Sequence, residues 1–129
     1  MRMNLWLYND SWDDFKKSPR LIGFQSERER AIISKGDKIV YASSGIVAGT
    51  YEAGDSVQNR FTGWSGQRPF QIMLLPVLIP SQELVAKPLR YKVQLERPFP
   101  GAKNLFRLSE QEFGKIELAI KERKKELVY

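Results

Sequence analysis

A chain of 129 residues is long enough for one domain with one sizeable core, and too short for two. Its 42% apolar and 28% charged content is that of a globular protein, and a formal charge of +6 favours an anionic partner only modestly. Cysteine and histidine are both absent, which removes disulfides, thiol nucleophiles, most zinc sites and histidine-based acid–base schemes, leaving carboxylates, Lys, Tyr or Ser for any chemistry.

The opening MRMNLWLYND has too short an apolar run for a signal peptide, and no stretch approaches about eighteen apolar residues. A single domain over 1–129 in the cytoplasm, with no membrane partner, is the expectation. Asn4 to Tyr8 reads as a first strand, with Leu5 and Leu7 on one face and Trp6 and Tyr8 on the other. Ser11 can cap a short helix over Trp12 to Lys17, with Asp14 at the third helical position in a weak capping box, and Ser18-Pro19 ends it. Ser26 precedes ERERAII, whose acidic first turn suits a helix start; Ala31 and Ile32 are expected to face the core while Arg28 and Arg30 stay wet.

Lys35-Gly36-Asp37 turns the chain into a strand over Lys38 to Ala42. Ser43-Ser44-Gly45 connects it to the next strand, Ile46 to Tyr51, where Gly49 predicts a bulge, a bend or a close backbone approach. Glu52 to Pro69, rich in glycine, reads as a loop embedding Phe61 and Trp64. Phe70 to Ile79 is a nearly continuous apolar run interrupted by Pro76, as at an edge or a barrel corner. A helical turn follows around Gln82 to Val85, and Leu89 to Glu96 alternates as a half-buried strand. After a Pro/Gly turn at Phe99 to Lys103 comes a short apolar stretch, Leu105 to Leu108. Ser109 and Glu112 form a capping box for a terminal helix with Phe113, Ile116 and Ile120 as its inner stripe. Strands separated by short helices predict a small α+β barrel of about five or six strands, with a C-terminal helix.

Candidate site residues are aromatics beside polar or glycine-rich connections. Trp64, in FTGWSGQ, can stack on a planar base; Trp6, Tyr8 or Phe24 can supply a further wall. Asn9, Gln25, Ser43 and Ser44 can read polar edges by hydrogen bonding. Arg20, Arg28, Arg30, Lys35 and Lys38 form a basic neighbourhood, and Arg60 and Arg68 flank Trp64; guanidiniums suit phosphate because their fixed donors engage two oxygens. The same groups also read as core aromatics, turn serines and a solvated charged face. No metal motif, phosphate-cradling loop, nucleophile elbow or catalytic set is found. Asp13-Asp14 does not converge and reads as helix-start charge.

LWLYND, GFQSERERAI, SKGDKIVYASSGIVAGTYEA, SQELVAKPL and LSEQEFGKI together resemble the EVE domain family, a branch of the PUA-like superfamily related to the YTH modified-RNA readers. The resemblance spans roughly Asn4 to Ile120. It implies a PUA-like β-barrel with peripheral helices and an aromatic pocket for a nucleobase, often a modified one. In the YTH relatives cage tryptophans come from the loop before the corresponding helix and from a later loop before a strand. FTGWSGQRPFQI resembles the later context, with which Trp64 is compatible, whereas Phe24, in the loop before the second helix, stands near the earlier place, where many relatives carry tryptophan. The function so implied is non-catalytic binding of RNA or DNA, with no cofactor. A nucleotide- or RNA-processing enzyme, and a protein-interaction or small-molecule-binding domain using Trp64 and PVLIP, are the alternatives.

Overall fold

The computed structural model describes residues 4–18, 20–43, 46–78, 91–92 and 105–126. They form an α+β fold whose curled sheet makes a half-barrel with short helices and a C-terminal helix. Its elements in chain order are β1 (Leu5–Asn9), α1 (Trp12–Lys17), β2 (Leu21–Phe24), α2 (Glu27–Arg30), β3 (Lys38–Ser43) and β4 (Ile46–Gln58). β5 (Phe70–Leu78), β6 (Tyr91–Lys92), β7 (Leu105–Arg107) and α3 (Glu110–Glu126) complete it. The strand order is β2-β5-β4-β3-β1-β7, with β6 also pairing on β4. β1 runs parallel to β3, with Leu7 opposite Val40, and antiparallel to β7. The other ladders are antiparallel.

Alternation along β1 and β3 builds a core on each face of the sheet. Trp6, Tyr8, Ile39 and Tyr41 join Ile22, Phe24, Tyr51, Ile72 and Leu74 on one face, where Phe15 of α1 and Ile33 close over them. Leu7, Val40, Ala42 and Val47 face the other way, under Phe113, Ile116 and Ile120 of α3. That helix starts as the sequence predicts: Ser109 Oγ accepts from the Glu112 amide at 3.1 Å, and the Glu112 carboxylate accepts from the Ser109 amide at 3.0 Å. Gly36, at φ 93, makes the turn before β3, and the buried Asp37 accepts from the Trp6 indole at 3.0 Å and from the Ser34 amide at 2.9 Å. Aromatic β1 is thereby tied to the turn.

Four expectations need correction. Phe24, expected in the loop before the second helix, ends the strand Leu21–Phe24, which is buried on all four residues, so it enters the core from β2. After Ser26, whose hydroxyl caps α2 by accepting from the Glu29 amide, the helix ends at Arg30; Ala31 and Ile32 are exposed and Ile33 fills the core instead. Arg30 is half-buried and donates to the Val57 carbonyl at 3.0 Å. β4 continues through Gln58, well into the predicted loop, by taking a register shift between Ala53 and Ser56. Gly54 permits this, since a Cβ there would lie 3.1 Å from the Met73 carbonyl oxygen.

The bulge expected near Gly49 is present as the shift between Tyr41 and Ala42, and Pro76 stands beside a further shift, beyond the end of the β2 ladder. The helical turn at Gln82 to Val85, the Phe99 to Lys103 turn and most of the strand at Leu89 to Glu96 lie outside the described residues.

The α3 interface gives a direct comparison. Ile116→Ala, at a fully buried position, should cost about 2–5 kcal/mol in denaturant unfolding, whereas Leu118→Ala, at a residue 57% exposed, should change stability by less than about 0.5 kcal/mol.

Candidate functional site

The loop 59–69 joins β4 to β5 and contains its own cleft. Its ends meet at the Gln58–Phe70 pair, and the Asn59 amide donates to the Pro69 carbonyl at 2.8 Å. Gln71, fully buried, holds the loop from within: its Oε1 accepts from the Arg60 and Phe61 amides at 3.0 and 3.2 Å. Its Nε2 donates to the Phe61 and Arg68 carbonyls at 2.6 and 2.9 Å. Left-handed residues, Asn59 at φ 52 and Gly66 at φ 80, bend the chain between them. The cleft has a volume of about 410 Å³ and is lined by Asn59, Phe61, Thr62, Trp64, Gly66, Gln67, Arg68 and Pro69.

Trp64 is an anchor for this loop as well as a border of the cleft. It is only 6% exposed, and its indole nitrogen donates to the Asp14 carbonyl at 3.1 Å. One edge lies on Gly23 so closely that a Cβ there would sit 2.5 Å from the ring and 2.7 Å from the Arg68 Cβ. The Phe61 ring meets Trp64 edge-on, with centroids 5.1 Å apart, and is the more open aromatic of the two.

Arg68 reaches from the loop to β1 and α1. Its Nη1 donates to Asp10 Oδ2 at 2.6 Å and to the Tyr8 hydroxyl at 3.3 Å. Nη2 reaches Asp10 Oδ1 at 3.2 Å and Asp14 Oδ2 at 2.9 Å. Each carboxylate is engaged again from behind, Asp10 by the Tyr41 hydroxyl at 2.9 Å and Asp14 by the Ser65 amide and hydroxyl at 3.0 and 2.5 Å. Asp14 therefore does not complete the capping box with Ser11; the Ser11 amide donates to Asp10 instead. Ser11 keeps its half of the cap, accepting from the Asp14 amide at 3.2 Å.

These contacts move the titrating groups away from neutrality. Burial alone would raise the Asp14 carboxyl, but the two Ser65 hydrogen bonds and the Arg68 charge outweigh it and bring it down to about 2. Burial, with the Asp10 charge beside it, pushes the Tyr8 phenol up to about 12, and Tyr41 rises for the same reasons. Burial opposes the Arg68 charge, yet the bond to Asp10 and the surrounding anions raise its affinity for the proton.

The remaining sequence candidates are scattered. Trp6 is core, its indole spent on Asp37, with Arg107 over its ring at 5.9 Å. Tyr8 lies beneath Arg68 and donates to the Gly23 carbonyl at 2.9 Å; Phe24 packs edge-on against it. Asn9 ends β1 half-buried, Gln25 is exposed after β2, and Ser44 and the Ser43 side chain lie outside the described residues. Lys35 is paired with Asp55 at 2.8 Å. Arg20, Arg28 and Arg60 are exposed and form no ion pair among the described residues. Only Trp64 and Arg68 of the candidates line the cleft. Sequence reasoning missed Asp10, Asp14 and Gln71; the last had a signal, as a lone amide in an apolar run must find partners once buried. Among the described residues no acidic cluster suits a metal ion and no helix is long and apolar enough to cross a membrane.

No family model matches the chain, and no curated protein sequence matches it. Among solved structures, the protein Atu2648 of Agrobacterium tumefaciens is similar over 90% of this chain and 92% of its own length, at 14% identity and a TM-score of 0.46. So distant a likeness assigns no role to any residue.

Gly23→Ala should overpack the loop, costing about 1–3 kcal/mol and shifting Trp64 fluorescence as the indole is displaced. The Asp14 shift stabilises the fold fully above pH about 4, and that contribution, on the order of 2 kcal/mol, is lost as pH falls towards about 2. At the alkaline end, stability is complete below the ordinary phenol range near pH 10 and falls as pH rises towards about 12, where Tyr8 and Tyr51 titrate in the fold. Chemical unfolding across pH should show both limbs, with Asp14→Asn flattening only the acid one.

Proposed function

We propose that this protein is a non-catalytic binding module for single-stranded nucleic acid, RNA or DNA, that seats a nucleobase, modified or not, in the cleft of the 59–69 loop. The observation that carries this reading is the cleft itself. Its volume of about 410 Å³ lies in the range of small-ligand sites, roughly 300–1,000 Å³, and it combines aromatic Phe61 and the rim of Trp64 with the amides of Asn59 and Gln67. An aromatic face serves any base by stacking, and a neighbouring amide can match a base edge. Exposed Arg20, Arg28 and Arg60, within a chain of net charge +6, supply attraction for the phosphates. A single strand presents its bases without the unpairing cost that a duplex imposes. The resemblance of the sequence to EVE domains supports the same reading and would make the chain an EVE-like member of the PUA superfamily.

An enzymatic role has less support. The convergent ionisable cluster of Tyr8, Asp14 and Arg68 is there, but its pKa values are driven away from neutrality, the opposite of what an acid–base catalyst needs. A protein-docking role for Trp64 is opposed by its burial, although Leu75 and Val77 on β5 are 49% and 51% exposed.

The test is a titration of purified protein with short single-stranded RNA and DNA, with and without methylated bases, at two salt concentrations. Phe61→Ala should weaken binding about 5- to 150-fold, the worth of one stacked base. Arg60→Ala should lower affinity uniformly across sequences and reduce the salt slope by about one. Binding that is salt-sensitive yet indifferent to Phe61 and to the base offered would sink the proposal in favour of generic charge attraction.

A further inference from the structure

We infer that Arg68 is a positioning residue, and that the cleft it lines takes an uncharged planar ring while excluding phosphate and carboxylate groups; the choice of ring rests on the base-binding reading above. Arg68 is the cation that lines the cleft. A guanidinium that receives phosphate must present free donors to it. Here the terminal nitrogens are already directed at Asp10, Asp14, the Tyr8 hydroxyl and, at 3.4 Å, the Ser65 carbonyl. One cation faces two carboxylates, with the Lys17 ammonium 3.5 Å from Asp14 as a partly exposed counterweight. An anion entering the cleft would meet a floor that is neutral or negative rather than positive.

Redirecting Arg68 would leave Asp10, 8% exposed, without its cation and Asp14, 2% exposed, with only the partly exposed Lys17, which is strongly unfavourable. It would also loosen the loop, whose remaining side-chain attachments to Asp14 are those of Ser65 and Trp64. The guanidinium thus fixes the cleft wall and has no charge to spare for a ligand. Phosphates of a bound strand lie outside, against the exposed arginines.

The experiment is an NMR titration of the intact isotope-labelled protein with inorganic phosphate, a nucleoside and the matching 5′-monophosphate. Arginine side-chain N–H and Phe61 resonances are followed. Phosphate should leave the Arg68 signal in place while shifting those of exposed arginines. Nucleoside and monophosphate should move Phe61 with dissociation constants within about twofold, since solvent screens charges outside the cleft. Asp10→Asn, which keeps an acceptor for Tyr41 but removes one negative charge, should make Arg68 respond to phosphate. An Arg68 signal that saturates with phosphate in the unaltered protein, or a monophosphate bound about tenfold more tightly through it, would overturn the assignment; neither readout needs a variant to fold. Failure of the base-binding reading looks different: the Phe61 signals then ignore both nucleoside and monophosphate. In that case an unmoved Arg68 still supports its positioning role, and the uncharged-ring assignment falls.

Discussion

The site depends on one guanidinium. Arg68 lies far along the chain from Asp10 and Asp14, and its fork closes on both at once. Without it the 59–69 loop would still be hydrogen-bonded to itself through Gln71, but its attachment to β1 and α1 would rest on Trp64 and Ser65. Burying such a cluster gives little net stability, because desolvation cancels much of the Coulomb gain. What it supplies is orientation: a planar fork satisfies its acceptors in one arrangement, and the cleft wall inherits that arrangement.

The surrounding residues are consistent with this role. Tyr8 and Tyr41 place their hydroxyls at the cluster, Tyr8 meeting Arg68 and Tyr41 bonding Asp10, so the polar centre is capped by aromatic rings that belong to the hydrophobic core. Gly23 leaves the space that lets Trp64 and the Arg68 stem approach β2. Buried polar networks are tolerable when fully satisfied and costly when partly so, and here each member has a partner on another element. The loop that forms the cleft is therefore fixed against the sheet, which would limit the ordering cost of any binding there.

Local rules read well from the sequence, and tertiary ones did not. The alternation of β1, the caps at Ser11, Ser26 and Ser109, the turn at Gly36 and the α3 stripe all depend on residues within a few positions of one another. β2 was hidden because both of its faces are covered, one by the core and one by the 59–69 loop, which erases the two-residue period. The outer part of β4 was hidden by the irregularity at Gly54 and Asp55, which looks like a turn in sequence and acts as a bulge in the sheet. Asp14 conceals its tertiary contact for another reason. Its place in the first turn of α1 already explained it locally, and nothing within the helix points to a partner 54 residues away. Trp64 was recognised as important, but spacing alone could not decide between an anchor and an open stacking face.

The proposed base-binding role would separate charge from discrimination in this molecule. The +6 of the whole chain acts over about a Debye length and draws anions in without selecting among them. At the cleft wall the Arg68 charge is paired with Asp10 and Asp14, so on the inference above long-range attraction would not become tight binding of any phosphate that arrives. If the cleft seats a base as proposed, selection would fall to the contacts that charge does not supply, the Phe61 ring and the amides beside it. A free Arg68 would collapse that division, because strong phosphate contacts add affinity to every sequence equally and would dilute any preference that a base-binding cleft could express. On the proposed reading, holding the guanidinium in an internal salt bridge would keep the cleft selective, at the cost of affinity that the exposed arginines would partly restore.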